Sequence, residues 1–375
     1  MSQKRIVLVG GGTGGHFHPL IATAERLREQ AASDTDLQLY YAGPEPYDAP
    51  VLAENNIRYI YVPAGKRRKY FSLLNLFTPF LVWFGIIVAF WKLLIIYPDV
   101  IFSKGGYTSV PVVIAAWLLR IPIMIHESDT RPGSANRMAG KLARYVAVAF
   151  DDVAKFFPAE KVALTGIPLR KVMQDMATDP FSALGLPNDR PLIFVTGGSQ
   201  GALRLNNLIL ESLDELLPIY TILHQTGATH EETVKLTAAK LIPDPTLLSH
   251  YFVKGSLTAT EMHLAESAAT LIISRAGTGT IFEIAAKGKP SILIPIPEEI
   301  SHDQRHNAYA YARTGAATVI EEANLTDGLL TAEINRIMGD TSVYETMQRA
   351  ALQFHIPNAA ETLATTLLGI ADEHD

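Results

Sequence analysis

Four times in this chain a short apolar run stops at a glycine-rich loop and a helical stretch follows. The sharpest case is Ile6-Val7-Leu8-Val9, then Gly10-Gly11-Gly12-Thr13-Gly14-Gly15-His16, then a helix expected from Pro19. The run at 100–103 leads into Lys104-Gly105-Gly106-Tyr107, and the run at 192–196 into Gly197-Gly198-Ser199-Gln200-Gly201. The run at 271–274 leads into Arg275-Ala276-Gly277-Thr278-Gly279-Thr280. Such runs are too apolar for a sheet with a wet face, so they predict strands covered on both sides. A loop without side chains lets backbone N–H groups approach a ligand, and a helix N-terminus favours negative charge. One junction of this kind is often only a tight turn. Four together point to a site that holds more than one phosphate group.

The remaining pattern agrees with an α/β fold. Strands are expected at 6–9, 37–42, 59–62, 100–103, 121–125 and 145–149, with helices at 19–32, 49–55, 73–96 and 109–120 between them. The alternation restarts at 192, with strands at 192–196, 220–224, 251–253, 271–274, 291–294 and 317–320 and a helix from Leu203. Two Rossmann-like, doubly wound parallel sheets follow, and 375 residues suit two domains. The stretch 166–190 holds Pro168, Pro180 and Pro187 and little apolar periodicity, so the hinge is placed there. The domains are therefore expected at 1–165 and 166–355, with a helix from 356 that crosses back to the first. Ligands of such sheets bind beyond the carboxyl ends of the strands, so the two sets of loops are expected to face one cleft.

Bulk properties remove several function classes. A net charge of −6 gives no reason to expect nucleic-acid binding. The absence of cysteine excludes disulfides, thiolate metal sites and a cysteine nucleophile. The first residues enter a strand with no signal-peptide pattern, which suggests a cytosolic chain. One segment complicates that picture. From Phe71 to Trp91 there is no charged residue, and Lys66-Arg67-Arg68-Lys69 precede it. Three readings compete: an interfacial helix dipping into a bilayer, a buried crossover helix, and a true span. The cationic cluster favours the first, because anionic headgroups attract it.

Gly10-x-Gly12-x-x-Gly15 satisfies the dinucleotide fingerprint, but the second strand ends without the acidic residue that a nicotinamide ribose requires. His16 and Glu127 are the titratable candidates at strand ends, for deprotonating or orienting a hydroxyl; the bland alternative for Glu127 is a loop-capping carboxylate. Arg170 suits a diphosphate, against the alternative of a surface arginine in the hinge. Glu283 suits two ribose hydroxyls, or merely the helix dipole. The polar run Asp303-Gln304-Arg305-His306-Asn307 suits a sugar or a helix cap. No His-x-x-x-His or Asp-x-Asp arrangement supports a metal.

With these residues assembled, the chain resembles the MurG family of UDP-N-acetylglucosamine:lipid-linked N-acetylmuramyl-pentapeptide transferases. The matching blocks are Gly10 to His16, Gly105-Gly106-Tyr107, Ile121-Pro122 with His126-Glu127, Gly166-Ile167-Pro168-Leu169-Arg170, Gly197 to Gly201, Arg275 to Ala285, and Gln304 with Asn307-Ala308. The resemblance implies a GT-B fold and inverting transfer without metal or cofactor. It implies UDP-GlcNAc as donor, the undecaprenyl-pyrophosphoryl-MurNAc-pentapeptide as acceptor, and peripheral attachment to the cytoplasmic face of the membrane through the region from Lys66 to Trp91. Carried over by position, His16 and Glu127 are catalytic. Thr13, Gly14 and Gly15 approach the sugar and diphosphate groups, and Ser199 and Arg170 the donor diphosphate. Thr278, Gly279, Thr280, Ile281, Phe282 and Glu283 meet the ribose and phosphates, backbone near Thr258 the uracil, and Gln304 the sugar. Ser128-Asp129 replaces the usual Gln-Asn, so Asp129 adds a charge at a contact position. His18, Ile167 and Asp303 also depart from the pattern. Another GT-B lipid glycosyltransferase, such as one acting on diacylglycerol, is the alternative.

Overall fold

The computed structural model describes residues 3–66, 74–174, 177–198, 201–298 and 304–374. The chain divides into two compact units, Met1–Lys171 with Ile356–Asp375, and Val172–His355. In the first, strands β1 (Gln3–Gly10), β2 (Asp36–Gly43), β3 (Ile57–Tyr61), β4 (Val100–Gly105), β5 (Ile123–Glu127), β6 (Tyr145–Val148) and β7 (Val162–Leu164) form one sheet. Its order is β3-β2-β1-β4-β5-β6-β7, and the pairs are parallel. The second unit repeats the plan with β8 (Leu192–Thr196), β9 (Thr221–Gln225), β10 (Tyr251–Lys254), β11 (Leu271–Ser274), β12 (Ser291–Leu293) and β13 (Ala317–Val319). Its order is β10-β9-β8-β11-β12-β13, again parallel.

Both sheets therefore reverse their winding once, between β1 and β4 and between β8 and β11. Ligands of doubly wound sheets bind at such switch points. The four glycine loops follow these same four strands, which explains why these junctions lack side chains. The expected strand at 121–125 runs instead from Ile123 to Glu127, so His126 and Glu127 end a buried strand. β7 escapes sequence reading because it has three residues, two of them exposed.

Local chemistry sets the helix starts. The helix Gly14–Gln30 begins five residues before Pro19, with Thr13 as its extended N-cap residue. The apolar period of that helix begins only at Phe17, which is why the pattern hid its first turn. Phe17, Leu20, Ile21 and Leu27 pack with Ile6 and Leu8 of β1 and with Leu363, Leu367 and Ile370 of the helix Ala359–His374. Burial of those last three side chains contributes roughly 5–9 kcal/mol, at about 1.5–3 kcal/mol each. The ion pairs Arg26–Glu361, Lys4–Asp372 and Arg144–Glu373 on the same helix are partly exposed, worth about 0–1 kcal/mol each. Apolar packing, not charge, holds the chain end on the first unit.

The helix Leu74–Ile96 is the crossover from β3 to β4. Ala89 and Leu93 anchor it to the core beneath, with Val7, Val9, Val112 and Val113. Its outer face stays uncovered: Phe80 is 70% exposed, Trp83 64% and Ile95 79%. Only 17% of its apolar stretch is buried, so of the three competing readings that of an ordinary buried crossover helix does not hold. Among the described residues, no element covers Phe80, Trp83 or Ile95 on this face.

Candidate active site

In the first unit, the loop after β1 and the loop after β4 lie against each other. A side chain at Gly106 would stand 3.1 Å from the Gly11 carbonyl oxygen and 3.9 Å from the His16 ring, and its φ of +78° is a conformation that suits glycine. His16, half-buried in the first turn of its helix, shares a 2.8 Å hydrogen bond between Nδ1 and Thr13 Oγ1. Burial above all, with the Lys104 ammonium adding to it and the Asp129 carboxylate opposing both, holds its imidazole down to about 4. Tyr41 donates to the Gly10 carbonyl at 2.8 Å and fixes the loop from below.

Under these loops lies an ionisable network. Lys104, 1% exposed, contacts His126 Nδ1 at 2.7 Å and donates to Ser128 Oγ. His126 Nε2 donates to the Gly166 carbonyl at 2.8 Å, so Nδ1 is left as an acceptor for the lysine. The ring is neutral, driven well below the ordinary imidazole value by burial and by Lys104. Glu127 accepts from the N–H groups of Asp129 (3.0 Å) and Gly133 (3.2 Å) and from Asn136 Nδ2 (3.0 Å). Burial, with Asp129 beside it, pushes its carboxyl up to about 7. Both Glu127 oxygens are thus engaged in closing the 128–133 loop. Sequence reasoning missed Lys104. The signal was there: a lysine between a buried strand and two glycines.

Thr13 and Gly15 are exposed at the helix start, Gly14 is half-buried, and Asp129 lies half-buried at the rim of the same site. Arg170 belongs to this unit too, near His18 and Glu25, and its charge helps hold the His18 ring down to about 4 after burial.

The second unit has a different floor. Gly201 has a φ of +77°, and a Cβ there would meet the Thr226 carbonyl oxygen at 2.1 Å, so the β8 loop closes only with glycine. Thr196 Oγ1 donates to Gln225 at 2.6 Å and accepts from the Gly198 N–H at 3.1 Å. Ser199 and Asp303 lie outside the described residues. The helix Thr278–Ala286 starts directly after the β11 loop with Gly277 as N-cap residue. Asn307 donates to Thr278 Oγ1 at 3.1 Å, and Gln304 accepts from the Ile296 N–H at 3.2 Å. Space beside Gly279 is open, and Thr280 and Glu283 are half-buried. Ile281 and Phe282 are buried, and the Phe282 ring lies 5.0 Å from that of Phe354 at the end of the helix Thr341–Phe354. Thr258 spends its backbone N–H and hydroxyl on Glu261 in a capping box. Arg275 pairs with Glu322 at 2.5 Å and donates to the Ile294 carbonyl at 3.2 Å, which ties the β11 and β12 ends together. The arrangement offers backbone donors to an anion and a carboxylate one turn away.

Comparison with known proteins agrees with this geometry. Residues 6–148 match the glycosyltransferase family 28 N-terminal domain, and residues 192–363 the glycosyltransferase family 28 C-terminal domain. A Bacillus cereus protein named UDP-N-acetylglucosamine--N-acetylmuramyl-(pentapeptide) pyrophosphoryl-undecaprenol N-acetylglucosamine transferase 2 is 35% identical over 92% of this chain and 94% of its own. A Clostridium kluyveri protein of the same name, without the numeral, is 34% identical over 94% and 96%. The crystal structure of Acinetobacter baumannii MurG superposes with a TM-score of 0.76 at 25% identity, covering 98% of this chain and 99% of that one. The UDP-GlcNAc 2-epimerase of Neisseria meningitidis, bound to UDP-GlcNAc, shares the fold with a TM-score of 0.70 at 15% identity, covering 98% and 100%.

Proposed function

Because this chain belongs to the MurG family of UDP-GlcNAc-dependent glycosyltransferases, we propose that it moves N-acetylglucosamine from UDP-GlcNAc to the 4-hydroxyl of the lipid-linked N-acetylmuramyl-pentapeptide. The observation that carries this reading is the pairing of two switch-point sites of unlike chemistry: a titratable group beside bare glycine loops, and a helix N-terminus with a carboxylate one turn on.

The acceptor hydroxyl attacks the anomeric carbon, its proton passes to a base, and UDP departs with inversion. His16 is the base. When Nδ1–H donates to Thr13, Nε2 is the atom left to take the proton. Glu127 orders the 128–133 loop and, through it, Asp129 at the acceptor. The first N–H groups of the Thr278 helix lack intrahelical acceptors and suit the donor phosphates. Glu283 suits the ribose hydroxyls, and Gln304 the transferred sugar. Arg170 and Ser199 help neutralise the departing diphosphate, as does the helix dipole.

The exposed face of the helix Leu74–Ile96 rests on an anionic membrane surface. A lipid-linked acceptor requires an enzyme at the bilayer, and aromatic side chains favour the headgroup boundary. Lys66, its ammonium 5.9 Å from the Tyr107 ring centroid, opens the cationic run that precedes this helix in the sequence. The rest of that run, Arg67, Arg68 and Lys69, lies outside the described residues, as do Phe71 and its two successors. The helix joins two strands of a single sheet and keeps one face on that sheet's core, which supports lying on the bilayer over crossing it.

The deciding experiment is a transfer assay with UDP-GlcNAc and the muramyl-pentapeptide lipid, with EDTA present. Formation of the disaccharide lipid is expected. Transfer to diacylglycerol instead, or donor hydrolysis alone, overturns the assignment.

A further inference from the structure

The β1–β4 ladder slips by one residue at its end: Val9 pairs with Ser103, but Gly10 pairs with Gly105. Lys104 is therefore the extra residue of a bulge, a device that re-aims a side chain. The bulge turns a cation into the protein. Its stem passes beneath Gly10, where an added Cβ would meet Lys104 Cβ at 2.7 Å. Its ammonium reaches His126 and Ser128, on the loop that also carries Asp129. A buried ammonium is costly unless its surroundings repay it, so its retention directly under the glycine loops needs a reason.

We propose that Lys104 is a positioning residue for the transfer: it fixes the 126–129 loop through His126 and Ser128 and balances Asp129 in setting the charge around His16. The inference rests on the assignment of His16 as base. The charged groups that act on that ring are Lys104 from β4 and Asp129 from the loop after β5; Thr13 bonds its Nδ1, and the backbone at Gly106 lies against it. His18, two residues on in the same helix, is acted on by Arg170 and Asp48. Among these, Lys104 and Asp129 act on His16 in opposite senses. Burial does most to keep the imidazole neutral; Lys104 adds to that effect and Asp129 opposes it, so the two tune a ring already ready to accept a proton. Ser128 and Asp129 are also the two positions where this chain departs from the Gln-Asn of the family pattern. The local charge and the loop sequence are one device.

The test is Lys104→Met, read in two ways. Histidine-labelled NMR follows the His16 titration without substrate, and transfer is measured from pH 5 to 8. Loss of the ammonium is expected to move the His16 titration to higher pH. Transfer should fall about twofold at pH 5 relative to pH 8, a range over which the parent is flat. Asp129→Asn should move the same resonance the other way. An unmoved His16 in Lys104→Met, or an equal loss of transfer at every pH, overturns the proposal. If Lys104→Met does not fold, Asp129→Asn decides by itself: an unmoved resonance sinks the charge balance. A parent protein without transfer activity whose His16 still shifts in these variants rejects the transferase reading and keeps the device.

Discussion

The two switch points share a topology and differ in chemistry. At β1 and β4, buried ionisable groups crowd beneath the loops: Lys104, His126 and Glu127, with His16 and Asp129 above. At β8 and β11 the loops are closed by neutral hydrogen bonds, Thr196 to Gln225 and Asn307 to Thr278, and an ion pair, Arg275 with Glu322, joins the loop after β11 to the turn after β13. On the proposed assignment, one supersecondary plan supports two tasks. Where a proton is to move, ionisable groups are buried together beneath the loops. Where an anion is to be held, backbone N–H groups and a helix terminus are offered to it.

The sharpest way to break this contrast is His16→Ala. If only the first site handles protons, transfer should fall about a thousandfold while UDP affinity, measured by calorimetry, changes less than about twofold. Tenfold weaker UDP binding with normal turnover would reverse the assignment. The mirror experiment is Glu283→Ala, expected to weaken UDP about tenfold and to leave the pH profile in place.

The pH profile separates the two candidate bases of the first site. A base works when deprotonated, so transfer rises with pH through the value of the group that serves. His16, held down to about 4, predicts a rise near 4 and a flat profile above. Glu127, pushed up to about 7, predicts a rise near 7 instead. A limb at 7 in the parent enzyme that Glu127→Gln abolishes would transfer the role to Glu127.

The smallest expected effect lies on the membrane face. Replacing Phe80 and Trp83 with Ser removes two aromatic groups that touch little protein. Flotation with anionic phosphatidylglycerol vesicles should weaken about tenfold while soluble-phase UDP binding stays constant. Unchanged flotation would move the membrane contact elsewhere.

Much of this was legible before the fold. The glycine loops announced themselves, since a buried apolar run followed by residues without side chains has few uses. The two halves and the returning chain end followed from the restarted alternation. Other features were not legible, for definite reasons. The helix of His16 began early because Thr13 and two glycines carry no apolar period. Ile281 and Phe282 read as part of a ligand-binding run, yet both side chains are buried, Phe282 against Phe354, and only tertiary packing decides which face is inward.

What the sequence determined by itself was local: where strands end, where φ must be positive, where a helix can offer its N-terminus. These depend on residues a few positions apart. The tertiary structure alone decided that the four loops belong to the strands flanking two switch points, and that the chain end covers β1. It alone placed the Lys104 ammonium against His126 and Ser128, more than twenty residues away in the chain. Strand order and a one-residue slip in register bring those groups together, and neither is written in the spacing of any single segment.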